Sequence, residues 1–509
     1  MTNALEDLYF KPYYLGCLAH ASYLLCHKGK AFVIDPRRDV DEYISDAKAV
    51  GCTIAGVFET HTHADFVSGH VELKFKSGAD IYISGETEVG YEHVGLKDNQ
   101  VVELSEDYSL RAMHTPGHTP DSMTFVLQQR QAGGKARDIK AFTGDTLFIG
   151  DCGRPDLLGS IGWTATDLAT MLYKSLNERV MSLDDDVEVW PAHGAGSACG
   201  KALSDDRSST IGKERVTNPA IECDTLEKFI EYATSGQPHK PQYFAHSVAM
   251  NKSADPETID NLKEKVKHMS VDEVHDAMHN STQATYVLDV RPAEEFAQAH
   301  IPQSMSFWLG SPEGVEVKAE DGMFASWVGT MMAHDRNIII VASQGRSDEA
   351  ITRLARIGYH NVMGVLKGGI DSWAESGRAL DSFSRKEASE LKQFFADGSR
   401  VIDVRTEPEF SIQHYNGSIN LPTADLLSVT ANKLTQGQKY VTYCQSGFRS
   451  MIAATFLRRA GFDVVDVRGG FDSIIEVVSE DEISAEVLCP RKQKLLEEKL
   501  KNELEVAKA

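Results

Sequence analysis

The second half of this 509-residue chain contains an internal repeat, and a repeated segment must fold into the same unit twice. VLDVRPAEEFAQAHIPQSMSFWL (287–309) matches VIDVRTEPEFSIQHYNGSINLP (401–422), and IGYHNVMGVLKGGIDSW (357–373) matches AGFDVVDVRGGFDSI (460–474). Within each copy, short apolar runs alternate with helical stretches, a pattern typical of a parallel α/β sheet. The repeat predicts two parallel α/β domains, 262–382 and 383–482, followed by a charged helix over 483–509.

The first half, residues 1–250, has no such repeat and is predicted to be one separate α/β domain. Its strand-like runs each end in polar, His or Asp residues. These runs are AFVID (31–35), IAGVFET (54–60), IYIS (81–84), AFTGD (141–145) and VEVWPAH (187–193). The carboxyl ends of strands are where α/β folds place their chemistry, so a functional site is expected there.

Histidines and aspartates follow these strands in four motifs, which predicts a metal centre. The motifs are ETHTHADFVSGH (59–70), MHTPGHTPDS (113–122), FTGDTLF (142–148) and WPAHGAGSACG (190–200). In an extended segment alternate residues point the same way, so His61, His63 and Asp65 are predicted to face one site. Imidazole and carboxylate together are the ligands that zinc, iron or manganese prefer.

The order HxHxD, TPGHT, GDTLF, PAHG resembles the metallo-β-lactamase superfamily over about residues 10–245, which implies an αββα sandwich. In the two-metal hydrolases of that superfamily the first motif reads HxHxDH, and its last histidine helps to hold the second metal. That position is Phe66 here. A second metal would therefore lack an imidazole, and one metal per chain is expected.

Within the superfamily, THTHADFVSGH, TPGHTPDSM and GDTLFIGDCGRPDL resemble the persulfide dioxygenases. This resemblance implies one Fe(II) per chain, held by His61, His118 and Asp145. Two histidines and one carboxylate leave open coordination positions, which suit O₂ chemistry. The implied reaction is oxidation of a low-molecular-weight thiol persulfide by O₂ to sulfite, with release of the thiol.

Four further residues of these motifs receive supporting roles. His63, Asp65 and His193 are expected to orient ligands or bound water, although the sequence leaves open whether His63 is itself a ligand. Arg154 is a candidate for binding a carboxylate or phosphate of the thiol carrier, because guanidinium grips such groups in a fork. The alternative is an ion pair between Arg154 and Asp156 within the same loop.

The second key stretch is VTYCQSGFRS (441–450), in which a strand ends at Cys444 and a CxxGxR loop leads into a helix from about Ser450. Successive N–H groups of such a loop form an anion nest, and Arg449 would add positive charge beside the thiolate or persulfide of Cys444. Residues 385–480 resemble a rhodanese domain, in which the loop cysteine carries sulfane sulfur. The first copy has IIIVASQGRSDEA (338–350), without a cysteine, and is predicted to be inactive.

Together these resemblances indicate a persulfide dioxygenase–rhodanese fusion. Sulfite from the iron site would take sulfur from the Cys444 persulfide and leave as thiosulfate. In the alternative order, Cys444 delivers persulfide to the iron site. Two rival functions stay open: a zinc thioester hydrolase like glyoxalase II, and a non-catalytic sulfur-sensing scaffold.

The net charge of −23 argues against nucleic acid or an anionic membrane as partner. The acidic N-terminus does not resemble a signal peptide, and no stretch of 18 apolar residues occurs. Eight dispersed cysteines without a CxxC favour a reducing cytoplasm. A homo-oligomer is expected, with the C-terminal helix serving either as a packing surface or as a frayed end.

Overall fold

The computed structural model describes residues 8–157, 162–201, 203–254, 257–281, 284–311, 323–427 and 433–485. The chain divides into two compact units. Unit 1 comprises Met1–Asn261 and Ala355–Gly358, and unit 2 comprises Leu262–Leu354 and Tyr359–Ala509. Among the described residues, no helix combines the length and apolar composition needed to cross a bilayer.

Two six-stranded sheets form the centre of unit 1. The first runs in the order β1-β2-β3-β4-β5-β6, and the second in the order β14-β13-β10-β9-β8-β7. The strands of the first sheet are β1 Tyr9–Leu15, β2 His20–His27, β3 Lys30–Ile34, β4 Thr53–Phe58, β5 Asp80–Ser84 and β6 Val94–Leu96. Those of the second are β7 Val101–Glu103, β8 Tyr108–His114, β9 Met123–Arg130, β10 Ala136–Gly144, β13 Glu188–Pro191 and β14 Ser209–Thr210. A small hairpin lies between β10 and β13: β11 Leu147–Phe148 and β12 Asp151–Cys152.

Helices cover the outer faces of both sheets. They are α1 Asp41–Ala49, α2 His70–Ser77, α3 Ala165–Lys174, α4 Ile211–Thr217, α5 Leu226–Thr234 and α6 Phe244–Asn251. One apolar core joins Phe58 of the first sheet to Phe125 and Phe142 of the second. A second core packs the first sheet on α1 and α2, and a third packs the second sheet on α3 and α5. The layers are therefore helix, sheet, sheet, helix, which confirms the αββα sandwich.

Unit 2 contains both copies of the repeat, and each forms a five-stranded parallel sheet. The strand orders, β15-β19-β18-β16-β17 and β20-β25-β24-β21-β23, are equivalent. The first copy consists of β15 Lys267–Met269, α8 Val271–Asn280, β16 Thr285–Asp289, α9 Ala293–Gln298, β17 Met305–Ser306, α10 Phe324–Met331, β18 Asn337–Val341, α11 Ser347–Ala355, β19 Val362–Leu366 and α12 Gly369–Glu375, preceded by α7 Ile259–Lys265. The second consists of β20 Arg385–Lys386, α13 Leu391–Ala396, β21 Arg400–Asp403, α14 Glu407–Ile412, β22 His414–Tyr415, β23 Ile419–Asn420, β24 Lys439–Tyr443, α15 Phe448–Arg459, β25 Asp463–Val467, α16 Gly470–Val477 and β26 Ile483–Ser484.

Both copies thus form the parallel α/β fold predicted from the repeat, and the division at 262–382 and 383–482 stays a prediction. In each copy the DVR motif ties the second strand to the loop that follows it. Arg291 forms a bidentate pair with Asp289, and Arg405 does the same with Asp403. Of the predicted C-terminal helix, only 483–485 is described: Ile483 and Ser484 form a strand with β22, and 486–509 lies outside the described residues.

Candidate metal centre and sulfur-transfer loop

The four histidine and aspartate motifs meet in unit 1 because each follows the carboxyl end of a strand. The HxHxD segment follows β4, the TPGHT loop follows β8, Asp145 follows β10, and His193 follows β13. The side chains of His61, His118, Asp145 and His193 are all at most 2% exposed. The segment from 59 to 68 is a series of bends rather than an extended strand, so the predicted alternation was wrong in form. The side chains of His61, His63 and Asp65 nevertheless reach the same region of unit 1.

His61, His118 and Asp145 form a compact set of donors. The Nε2 atoms of His61 and His118 lie 3.8 and 3.4 Å from Oδ2 of Asp145. Each imidazole is oriented through its other nitrogen: Nδ1 of His118 contacts the Arg154 carbonyl at 2.9 Å, and Nδ1 of His61 contacts Thr60 Oγ1 at 3.0 Å. Burial lowers the pKa of both histidines, so both are neutral, the form that binds metals.

The inward atoms of this set have no hydrogen-bond partner within the described chain. They are His61 Nε2 and both carboxylate oxygens of Asp145. Buried polar atoms left without partners are costly, and a bound cation would satisfy all three at once. The donor set therefore fits a metal of the 2-His-1-carboxylate type.

His63 lies next to two buried carboxylates, those of Asp35 and Glu59. Its Nε2 lies 3.1 Å from Asp35 Oδ1 and 3.4 Å from Glu59 Oε2. Burial alone would lower the pKa of His63, but Asp35 and Glu59 outweigh it and raise the pKa to about 9. His63 thus lies beside the centre and next to two buried carboxylates, and its predicted supporting role stays a prediction.

Asp65 and His193 lie together on another side of Asp145. His193 Nε2 is 3.4 Å from Asp65 Oδ2 and 3.5 Å from Asp145 Oδ1. The thiol of Cys199 completes a further cluster of potential metal donors with Asp145 and His193. Asp145 therefore lies between two donor clusters, one with two imidazoles and one with an imidazole and a thiol.

Asp35 positions the metal loop, although the sequence analysis did not single it out. Its carboxylate accepts hydrogen bonds from the Thr60 N–H at 2.7 Å and from Thr60 Oγ1 at 2.9 Å. Asp35 has a left-handed backbone (φ 49°), a strained state that is common at functional sites. Gly144 also lies close to Thr60: a Cβ there would be 2.5 Å from Thr60 Oγ1. Asp35 and Gly144 both lie at the ends of strand-like runs of the sequence, AFVID and AFTGD, but only the fold shows that both contact Thr60.

A second set of supports holds the backbone after the HxHxD motif. Asn251, at the end of α6, accepts a hydrogen bond from the Ser68 N–H at 2.8 Å. Its Nδ2 donates to the carbonyls of His63 and Phe66 at 2.9 and 2.8 Å, and the Tyr243 hydroxyl donates to the Asp65 carbonyl at 2.8 Å. Helix α6 thus fixes the bends that carry the ligands.

Arg154 is buried, and its guanidinium is bound within the protein. It forms a bidentate pair with Asp156 at 2.7 and 2.8 Å and donates to the carbonyls of Ala198 and Pro238. The ion pair considered as the alternative is therefore present, and substrate binding by Arg154 stays a prediction. Cys152 and Cys199 are buried, and burial raises the pKa of both thiols, consistent with small buried side chains at rest.

Cys444 lies in unit 2 at the end of β24, where the predicted loop leads into α15. The helix begins at Phe448, two residues earlier than expected. The N–H of Gly447 donates to the Cys444 sulfur at 3.1 Å, a contact that stabilises a thiolate or persulfide. Gly447 has φ 98°, a conformation that favours glycine. The loop therefore directs a backbone donor at the sulfur.

The guanidinium of Arg449 forms a bidentate ion pair with Glu409 at 2.7 and 2.8 Å. Burial raises the pKa of Glu409, but Arg449 outweighs it and lowers that pKa to about 2. Arg449 thereby anchors the loop to α14. Its predicted contribution to sulfur chemistry stays a prediction.

The equivalent loop of the first copy begins at Ala342. The N–H of Val290 donates to the Val341 carbonyl just as Val404 donates to Tyr443, so Ala342 occupies the position of Cys444. Helix α11 begins at Ser347, and Arg346 is bound to Glu349. The loop thus lacks a thiol and pairs its arginine differently.

Comparison with known proteins agrees with this architecture. The model of the metallo-beta-lactamase superfamily matches residues 15–193, and that of the rhodanese-like domain matches residues 270–376 and 387–476. A probable metallo-hydrolase of Burkholderia pseudomallei is 32% identical over 246 residues, covering 43% of this chain and 80% of that protein. The mitochondrial persulfide dioxygenase of Homo sapiens is 26% identical over 204 residues, covering 40% of this chain and 70% of that protein.

A solved structure covers more of the chain. It is described as a metallo-beta-lactamase from Staphylococcus aureus, and it is 31% identical with a TM-score of 0.60. The match spans 71% of this chain and 99% of that one. With the family matches, the sandwich and the paired parallel sheets, this protein belongs to the metallo-beta-lactamase superfamily and carries two rhodanese-like domains after that domain.

Proposed function

We propose that the protein is an iron-dependent persulfide dioxygenase with a sulfurtransferase loop, acting on a low-molecular-weight thiol persulfide. The observation that carries this proposal is the buried set His61, His118 and Asp145, in which His61 Nε2 and both carboxylate oxygens of Asp145 lack hydrogen-bond partners in the described chain. The similarity to a persulfide dioxygenase supports it, as do the rhodanese-like domains, because both point to sulfur metabolism.

Fe(II) held by these three residues would supply O₂ activation for oxidation of the persulfide sulfur. The protein's own part is orientation and exclusion of water. Thr60 and the Arg154 carbonyl fix the two imidazoles, while α6 fixes the bends after the motif. Because every donor is buried, charged groups on a substrate would interact strongly inside this site.

Sulfur transfer would follow in unit 2. The Gly447 N–H stabilises negative charge on the Cys444 sulfur. The Cys444 thiolate would attack the outer sulfur of the thiol persulfide, so that the Cys444 persulfide forms as the S–S bond of the donor breaks and its thiolate leaves. Sulfite attack on the outer sulfur of that persulfide forms the S–S bond of thiosulfate and returns the Cys444 thiolate. The overall process would clear persulfides.

A zinc hydrolase is the second candidate, and a specific observation favours it. Asp65 and His193 remain beside Asp145, and Cys199 adds a thiol to the cluster of Asp145 and His193. Thiolate ligands favour zinc. The 32% identity with a probable metallo-hydrolase supports the same reading.

Metal content and oxygen uptake discriminate between the two candidates. Protein purified without oxygen should hold about one iron per chain and consume O₂ with a thiol persulfide. His118→Ala and Asp145→Ala should each lose iron and uptake, whereas His114→Ala, whose Nε2 faces the Pro120 carbonyl, should keep both. Two zinc ions per chain with thioesterase activity and no oxygen uptake would sink the dioxygenase proposal.

A further inference from the structure

The first rhodanese-like copy has no cysteine in its loop, yet it approaches the loop of the second copy within unit 2. The ring of Trp308, which follows β17, lies 6.4 Å from that of Phe448 at an interplanar angle of 56°. Both rings are half-buried. Phe448 is the first residue of α15 and follows Gly447 directly, so Trp308 contacts the residue next to the donor that faces Cys444.

A second contact reaches the same glycine. Arg385 of the second copy bridges Glu294 of the first copy at 2.5 Å and Asp466 of the second at 2.8 Å. A Cβ on Gly447 would lie 3.1 Å from Nη2 of Arg385, so this guanidinium packs directly against the loop. Gly447 is thus supported through Phe448 and through Arg385, and both supports lead to the first copy.

The first copy's own loop holds the segment that carries Trp308. Arg346 donates to the carbonyl of Ser311 at 3.2 Å and to that of Gly310 at 2.5 Å, and Arg353 donates to the carbonyl of Leu309 at 2.7 Å. Arg346 is the residue that matches Arg449 by sequence. Its guanidinium binds the carbonyls of Gly310 and Ser311 and the carboxylate of Glu349.

We infer that the cysteine-less copy is a positioning element for the sulfur-transfer loop. Arg346 holds Gly310 and Ser311, Trp308 beside them then holds Phe448, and Phe448 sets the Gly447 N–H that faces Cys444. This inference rests on the proposed sulfurtransferase function and explains a use for a copy that cannot carry sulfur. A displaced N–H would no longer favour the thiolate, so Cys444 would ionise at higher pH and react more slowly.

The full-length chain tests this with two readouts. The first is sulfite release from thiosulfate, in which the Cys444 thiolate takes the outer sulfur and sulfite leaves. The second is the pH dependence of Cys444 alkylation by iodoacetamide, followed by mass spectrometry of the peptide that contains Cys444. Trp308→Ala should slow sulfite release about tenfold, the order expected for a misplaced hydrogen bond to a charged group, and should move the alkylation midpoint to higher pH.

Further variants separate positioning from misfolding. Trp308→Phe keeps an aromatic ring and should restore most of the rate. Arg346→Ala should act in the same direction as Trp308→Ala, while Arg336→Ala, on a half-buried arginine of the same copy beside Asp335, should leave both readouts unchanged. Oxygen uptake should stay at the wild-type level throughout.

One result would contradict the positioning role of the first copy, and a different result would contradict the proposed sulfur transfer. If Trp308→Ala and Arg346→Ala both keep the wild-type alkylation midpoint and stay within twofold in sulfite release, the positioning role is wrong. If the wild type itself releases no sulfite, the proposed sulfur transfer fails. The alkylation profile, which needs no sulfur transfer, would still decide whether the first copy tunes Cys444.

Discussion

Asn251 offers a sharp test of how the metal loop is held. It is 4% exposed, and its amide bonds three backbone groups of the loop: the Ser68 N–H and the carbonyls of His63 and Phe66. None of these bonds touches a proposed ligand. Asn251→Ala therefore removes the support while leaving His61, His118 and Asp145 intact.

The magnitude follows from the three lost bonds. A typical intramolecular hydrogen bond contributes about 1 kcal/mol net, and a buried group left unpaired costs about 1–3 kcal/mol, so the loss should be at least ~3 kcal/mol. In a domain of this size each kcal/mol lowers the melting temperature by roughly 2–4 °C, which predicts a fall of roughly 6–12 °C. Iron should also bind more weakly, because the bends that carry the ligands lose their support.

Thermal unfolding and iron content per chain are the measurements. Asn251→Asp is the matched variant, since it keeps an acceptor for the Ser68 N–H but loses the donor to two carbonyls; its ligand loop should also loosen. Asn177→Ala is the surface control, because the side-chain amide of Asn177 donates to the Tyr173 carbonyl in an exposed position. It should change stability by less than ~1 kcal/mol.

The reasoning would be refuted if Asn251→Ala melts within 2 °C of the wild type and keeps its full iron. In that case the Asn251 contacts would be incidental, and other contacts of the loop, such as those of Asp35 and Tyr243, would be sufficient to hold it. Loss of stability with full retention of iron would contradict only the link between the support and the ligands.

Three further predictions concern unit 2. Cys444→Ser should still consume O₂ with a free persulfide while its product shifts from thiosulfate to sulfite, measured by chromatography of the sulfur products; loss of oxygen uptake would mean that Cys444 acts upstream as the donor. Ala342→Cys in a Cys444→Ser background should form persulfide from thiosulfate at least tenfold more slowly than the wild type, because the loop around residue 342 pairs its arginine with Glu349; a rate equal to that of the wild type would contradict this. The Glu409–Arg449 pair should add ~2 kcal/mol of stability at neutral pH. Because the pKa of Glu409 is lowered from 4.5 to about 2 in the folded protein, that contribution is full above pH 4.5 and is lost as the pH falls toward 2, so the stability difference from Glu409→Gln should shrink over that range and a constant difference would be inconsistent.

Much of the fold could be predicted because the hydrophobic pattern and the repeat are local properties of the chain. Each strand-like run picked out in the first half coincides with a strand, and both copies formed the expected parallel sheet. The strand-end pattern placed candidate donors in four motifs that meet in the fold, whereas the choice of His61, His118 and Asp145 among them came from the family resemblance. The sequence is sufficient to predict features of this kind, because the hydrophobic period identifies a strand and the next residues along the chain lie at the end of that strand.

What only the tertiary structure decided are the partners of these residues. The sequence offered two alternative partners for Arg154, a substrate group or Asp156. In the fold its guanidinium binds Asp156 and also the carbonyls of Ala198 and Pro238. Asp35 and Asn251 reach the metal loop from positions 25 and 188 residues distant from Thr60 and His63. Hydrogen bonds and ion pairs depend on distances of a few ångströms between segments remote in the chain, so the sequence by itself determined which chemistry the site could hold, and packing determined what each side chain contacts.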